Sequence, residues 1–141
     1  MEREVIDLDV LYIGAGPSSM AGALHLKKQL AESNIDPAIG IIEKSREVGA
    51  HSLSGAILDP RSLMELYPEF LDMDCPLEAE VSEESLYYLT ESNKIKFPYI
   101  PRAMNHHGCY IVSLGKLNRW LGSQCEKNEI DIFCGFAGTE L

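Results

Sequence analysis

No stretch of this 141-residue chain approaches the ~20 consecutive apolar residues that cross a bilayer, so no membrane-spanning helix is expected. Basic side chains are scarce: 12 Lys and Arg against 22 Asp and Glu leave a formal net charge of −10, with no basic stripe. That balance argues against nucleic acid as a partner and against generic attraction to anionic lipid. Cys75, Cys109, Cys125 and Cys134 form no C-x-x-C pair, so neither a metal site nor an iron–sulfur site is expected within the chain, and reduced thiols are the default. The start, acidic from Glu2, has no basic and apolar leader and no Arg- and Ser-rich transit character. Repeats, low-complexity tracts and linkers are missing too. With 45% hydrophobic residues, one core is expected and two are not.

What is present reads as alternating strand and helix. Residues 6–13 are nearly continuously apolar, as in a strand buried on both faces of a parallel sheet. Gly14 to Pro17 stop it, and a helix is predicted from Pro17 to about Glu32, with proline at a first helical position. Ala38 to Ile42 reads as a second buried strand ending at Glu43. Residues 44–58 read as loop. Asp59-Pro60 predicts a helix start with Asp59 as N-cap and Pro60 at N1, and Pro68 predicts that the helix stops near Leu66 and resumes only as a short turn. Leu86–Thr90 and Ile95–Phe97 read as a strand pair around Ser92-Asn93-Lys94, and 98–108 as loop. Tyr110–Val112 is a predicted strand, Ser113 an N-cap, and the helix after it runs to about Asn128 with Leu114, Leu117, Leu121 and Cys125 on one face. Ile130–Cys134 reads as strand and Ala137–Leu141 as the start of another, where the chain stops without a turn or cap. The expected class is α/β, a Rossmann-like βαβ layer (1–47 and 110–141) with an inserted loop and strand excursion (48–109), incomplete at its C-terminus.

The chemistry gathers at Gly14-Ala15-Gly16-Pro17-Ser18-Ser19, a G-x-G-x-x-G pattern with serine in the last place. Gly14 permits the tight turn out of the strand. Gly16 lets backbone come close to a pyrophosphate, whose negative oxygens the N–H groups of a helix N-terminus bind. The third glycine normally lets helix press on strand; Ser19 adds a Cβ and a hydroxyl, predicting looser packing and weaker binding. Glu43 follows the motif by about the right interval to hold ribose hydroxyls and to repel a 2′-phosphate, which disfavours NADP. A plain βαβ turn with a surface glutamate is the bland alternative. NAD and FAD share this fingerprint, but the long excursion after the second strand, where a nicotinamide fold would proceed to a helix and third strand, favours an FAD-domain design. No residue qualifies by spacing as a general acid, base or nucleophile, and no metal ligand set is expected.

Three runs carry a resemblance: Gly14-Ala15-Gly16-Pro17, Ile41-Ile42-Glu43-Lys44, and Val48-Gly49-Ala50-His51-Ser52-Leu53-Ser54-Gly55-Ala56-Ile57-Leu58-Asp59-Pro60. Asn105-His106-His107-Gly108, Tyr110-Ile111-Val112-Ser113-Leu114-Gly115 and Gly135-Phe136-Ala137 extend it. Together these resemble the N-terminal part of the electron-transfer flavoprotein:ubiquinone oxidoreductases. The resemblance implies a glutathione-reductase-type FAD domain, with Gly14, Ala15, Gly16, Pro17, Ser18 and Ser19 at the pyrophosphate and Glu43, with Lys44 beside it, at the adenosine ribose. Gly49, His51, Ser54 and Gly55 would lie in the loop that approaches the flavin, although from composition alone that loop reads equally as a surface connection. The implied partners are reduced electron-transfer flavoprotein, ubiquinone and a peripheral membrane contact. The implied location is the cytoplasmic face of a bacterial inner membrane, or the mitochondrial inner membrane in a eukaryote. A four-iron four-sulfur cluster belongs to the family's longer chain, in a part with no counterpart here. The expectation is an N-terminal fragment, inactive by itself. A related FAD hydroxylase or isoprenoid reductase, and an inert truncated domain, are the alternatives.

The remaining features read more plainly. His106-His107 reads as a polar loop pair with no acidic or thiol partner nearby. The stripe Leu63, Leu66, Tyr67, Phe70, Leu71 faces a core in preference to a membrane. Lys94, Lys96 and Arg102 interleave with Phe97, Tyr99 and Ile100, which suits either a lipid headgroup boundary or an exposed strand edge. Glu78, Glu80, Glu83 and Glu84 read as a solvated acidic face. Any membrane contact is expected to be local and apolar.

Overall fold

A computed structural model of the chain describes residues 5–53 and 55–140. Strand β1 (Val10–Ile13) enters the glycine loop, helix α1 (Pro17–Ala31) leaves it, and β2 (Ile39–Glu43) returns parallel to β1 with Val10 opposite Ile39 and Ile13 opposite Ile42. The third strand of this sheet is β8 (Asp131–Cys134), parallel to β2 on its other edge, giving the order β1-β2-β8. Pro17 sits at the first helical position with Gly16 as the N-cap, the arrangement its missing N–H favours.

Between β2 and β8 lies the excursion. Strands β3 (Ala56–Leu58), β4 (Leu77–Glu80) and β7 (Tyr110–Val112) form a second sheet, antiparallel, in the order β3-β7-β4. Two of its strands correct the sequence reading. β3 lies inside the stretch 44–58 that reads as loop, and β4 has no counterpart among the expected strands, because a Leu-Glu-Ala-Glu segment carries little strand signal until β7 supplies its partner. Tyr110–Val112 bonds to these two strands and not to the parallel sheet. Helix α2 (Arg61–Leu66) stops before Pro68, and a 3-10 turn at Phe70–Asp72 follows. Its start is shifted by a residue from the expected cap: Pro60 holds the N-cap place, while Asp59 accepts the Arg61 N–H at 3.1 Å. A hairpin of β5 (Tyr87–Leu89) and β6 (Lys94–Lys96) closes through Thr90–Asn93 rather than Ser92–Lys94, and a 3-10 turn at Arg102–Met104 interrupts the loop expected after it. Helix α3 (Leu114–Lys127) starts at Ser113 as predicted, although the Ser113 hydroxyl makes no capping bond. No strand forms over Ala137–Glu140, and Leu141 lies outside the described residues.

The core is the layer between the parallel sheet and helices α1 and α3. Met20, Ala23 and Leu24 of α1, Ile39 and Ile41 of β2, and Leu117, Leu121 and Cys125 of α3 are buried together. Burial of each such aliphatic side chain contributes about 1.5–3 kcal/mol. Helix α2 adds Leu63 and Leu66, and the turn after it adds Phe70, so the apolar stripe faces the core save for exposed Leu71. Burial on both faces of the sheet, expected from the apolar run, is not what the structure shows. Leu11 is 47% exposed and Ile13 50%, although Leu8 packs over Gly40 and Gly138 lies against Ile13.

Candidate functional site

The glycine loop turns where the parallel strands end. Gly14 has φ +90°, a conformation a side chain resists, and its N–H donates to the Ile42 carbonyl at 2.7 Å, tying the loop to β2. Space is open where a Cβ would stand at either Gly14 or Gly16. As the N-cap of a 15-residue helix, Gly16 has no side chain with which to satisfy the first-turn amides. Pro17 has no N–H, so Ser18 and Ser19 present unpaired backbone donors, among the described residues, at the positive end of the helix dipole. Ser18 is exposed and Ser19 half-buried. Helix α1 comes close to β1 at Gly22, where an added Cβ would lie 3.5 Å from the Tyr12 ring.

Glu43 ends β2 and turns its carboxylate toward this loop. Oε2 accepts the Ala15 N–H at 2.8 Å, and Oε1 accepts the Ser45 N–H at 2.9 Å. Partial burial pushes the carboxyl toward its neutral form. The amides of Ser45 and Ala15, with the nearby charge of His51, outweigh this and hold its pKa below the ordinary value. Each oxygen retains a second lone pair for another donor. Lys44 follows, exposed; a cavity of about 240 Å³ lies against Gly14, Glu43 and Lys44, roofed by Phe136 and Gly138. A more open hollow of about 560 Å³ continues past Lys44, Arg46, Ala50 and His51.

The flavin-loop candidates are placed less evenly. Gly49 has φ +80° and lies directly on α3: an added Cβ would come within 2.7 Å of the Gly115 carbonyl. His51 is exposed at the rim of the hollow. Gly55, φ +82°, is exposed with open space around it, and Ser54 lies outside the described residues. Several contributors escaped the sequence reading. Besides holding Glu43 by its N–H, Ser45 accepts the Gly135 N–H at 2.8 Å, and Phe136 donates its N–H to the Glu43 carbonyl at 3.0 Å. The segment after β8 is thereby fastened to the end of β2. Only the Gly135-Phe136-Ala137 run hinted at this. A separate hollow of about 460 Å³ lies between the C-terminal ends of α1 and α3, away from the loop.

His106 does find an acid, contrary to the sequence reading: its ring Nδ1 is 2.6 Å from Glu84 Oε1, and its N–H donates to Glu84 Oε2 at 2.7 Å. Glu84 is thus a structural tie across 22 positions rather than part of a purely solvated acidic face, and the N–H and ring of His106 hold its pKa low. Among the described residues no group of three or more His, Cys, Asp or Glu is gathered as a metal site would require.

A parallel sheet in this order, a glycine loop opening onto α1 and a carboxylate at the end of β2 define the Rossmann-like fold of FAD-binding domains. No family model matches the chain. Among solved structures, a flavoprotein/dehydrogenase from Cytophaga hutchinsonii superimposes with a TM-score of 0.60 at 21% identity, covering 94% of this chain and 31% of that one. 2-Methyl-3-hydroxypyridine-5-carboxylic acid oxygenase does so with 0.61 at 17%, covering 91% of this chain and 31% of that one. At that identity the likeness concerns fold alone. In sequence, the chain is 40% identical over 143 residues to the electron transfer flavoprotein-ubiquinone oxidoreductase of Pseudomonas aeruginosa, covering 99% of this chain and 26% of the relative. It is also 40% identical over 142 residues to the mitochondrial enzyme of that name from Rattus norvegicus, covering 100% and 23%. The resemblance read from the motifs is therefore borne out along the whole chain, which spans about a quarter of the length of the curated relatives it matches.

Proposed function

We propose that this chain supplies the adenine-dinucleotide-binding part of an FAD-dependent oxidoreductase that takes electrons from reduced electron-transfer flavoprotein and delivers them to ubiquinone at a membrane. The observation that carries this reading is the corner at Gly14–Ser19. It offers backbone donors with no side chain in their way, beside a carboxylate that retains acceptor capacity. A diphosphate fits those amides, and ribose hydroxyls fit the open lone pairs of Glu43. Lys44 and His51 line the hollow beyond, and Gly49 and Gly55 shape the loop around it. When bound, the flavin supplies the redox chemistry; the chain's own residues bind, orient and exclude water. Related FAD hydroxylases and reductases share the fold, but the level of sequence identity favours the quinone-reducing family.

In the same reading, the iron–sulfur cluster is ligated by sequence outside this chain, and the peripheral membrane contact is made by the β5–β6 hairpin. Tyr88, Leu89, Ile95 and Tyr99 are each 60% exposed or more. Lys94 and Lys96 stand among them at the spacing of a headgroup boundary, and Arg102 follows on the next turn. The protein would then rest on either the cytoplasmic face of a bacterial inner membrane or the mitochondrial inner membrane. No helix among the described residues is long and apolar enough to cross one.

Titrating the chain with FAD while following flavin fluorescence tests the site. Gly16→Val should fold normally, since nothing lies within 4 Å of the added Cβ, and should lose binding because that Cβ stands where the diphosphate must come. Equal binding by Gly16→Val, or no binding by the full-length protein that contains this chain, would overturn the reading.

A further inference from the structure

Asn118 lies just over one turn into α3 and is 2% exposed. Its Nδ2 donates to Ser52 Oγ at 2.8 Å, while its Oδ1 is buried with no partner, the only such side-chain atom among the described residues. Leaving an amide oxygen so placed is unfavourable, and an apolar side chain of the same shape would avoid the penalty. Something other than helix stability therefore has to account for an amide here. The surroundings supply it. Directly beside Asn118 the backbone of Gly49 rests on Gly115, so close that a Cβ on Gly49 would meet the Asn118 Cβ at 3.3 Å as well as the Gly115 carbonyl. The loop that makes this contact has few bonds of its own: Ala50 N–H to Glu47 at a long 3.4 Å, and Ser52 N–H to Gly49 at 3.1 Å. Asn118 to Ser52 is the one side-chain hydrogen bond between this loop and α3 among the described residues.

We infer that Asn118 is a positioning residue: by gripping Ser52 it holds loop 47–53 on α3, and so sets Gly49 and His51 where the proposed dinucleotide site needs them. This rests on the FAD reading for its purpose but not for its geometry. The helix contributes an amide, and the loop contributes a hydroxyl and a glycine small enough to be pressed down. The orphaned oxygen is the stability sacrificed to keep the loop in register, as functional sites commonly do.

Asn118→Leu, Ser52→Ala and Ser52→Thr test it, in the 141-residue chain. Without any ligand, the Ala50 and Ser52 N–H groups, the two that are hydrogen-bonded within this loop, should exchange with deuterium at least about tenfold faster in Asn118→Leu and Ser52→Ala, the loss of one hydrogen bond. Ser52→Thr, which keeps the hydroxyl, should restore the slow rate. FAD binding should weaken by about tenfold in the first two variants, while the urea midpoint of Asn118→Leu stays level or rises. A midpoint that falls in step with affinity would make Asn118 merely structural and overturn the inference. Should Asn118→Leu fail to fold, Ser52→Ala carries the same comparison from the loop side. Unaltered exchange in Ser52→Ala overturns the inference whether or not FAD binds. A full-length protein containing this chain that takes no FAD overturns the cofactor reading instead, with the exchange rates still deciding the grip.

Discussion

The corner between β1 and α1 and the hairpin β5–β6 are built on opposite plans. At the corner, nearly every backbone group that is not aimed outward is tied down: Gly14 to Ile42, Ala15 to Glu43, and Glu43 in turn to Ser45 and Phe136. Met20 and Ala23 pack below it without any exposure. The hairpin bonds mainly to itself, with every residue of both strands exposed, Lys94 standing over the Tyr87 ring, and the Phe97 N–H reaching only as far as Leu86. A site that must meet small charged groups at fixed positions needs the first plan. A surface that meets something extended and compliant is served by the second, since aromatic and aliphatic groups left in water gain most when a partner removes them from it.

Substitutions can break that comparison or make it sharper. The largest loss of stability is expected under the corner: Ile41→Ala, at a side chain with no exposure, should cost about 3–4 kcal/mol in urea unfolding and abolish any ligand binding with it. Gly49→Ala comes next, at about 2–3 kcal/mol, since a left-handed φ and a carbonyl in the way act together, whereas Gly55→Ala, with the same φ and open space, should cost only about 1 kcal/mol. Glu43→Gln should lower stability by about 1 kcal/mol at neutral pH. That difference has a direction in pH. The folded protein holds the Glu43 pKa below 4.5, so the contribution of the charge is intact above that value and is lost as pH falls through the folded one. Wild type and Glu43→Gln should therefore converge in acid. Tyr88→Ser with Leu89→Ser is expected to leave the unfolding free energy within about 0.5 kcal/mol, while reducing co-flotation with vesicles of zwitterionic lipid several-fold. A hairpin whose alteration destabilised the fold as much as Gly49→Ala would erase the distinction drawn here.

Much of the corner was legible because its signals are local. Glycine and proline at 14, 16 and 17 punctuate the chain whatever lies elsewhere, and Glu43 was marked by its interval from them. Its use was only half legible: that a carboxylate would stand there followed from the pattern, but its bonds to Ala15 and Ser45 depend on how the loop folds back. Strands β3 and β4 were missed for the opposite reason. They owe their form to β7, tens of positions away, and three or four residues of weak propensity carry no trace of that. The apolar run at 6–13 misled differently. It described a strand suited to cover on both faces, whereas the described residues cover only one. His106 and Glu84 belong to the same lesson, because two loop residues drawn together by pairing elsewhere look unrelated in sequence.

The double attachment of Glu43 has a kinetic consequence. A carboxylate that already bridges the glycine turn and the end of its strand would leave little to rearrange for the dinucleotide proposed to bind here. Capture at this corner should then run at a pace set by encounter and shielding by dissolved salt, and crystals grown empty and loaded should superimpose there almost atom for atom.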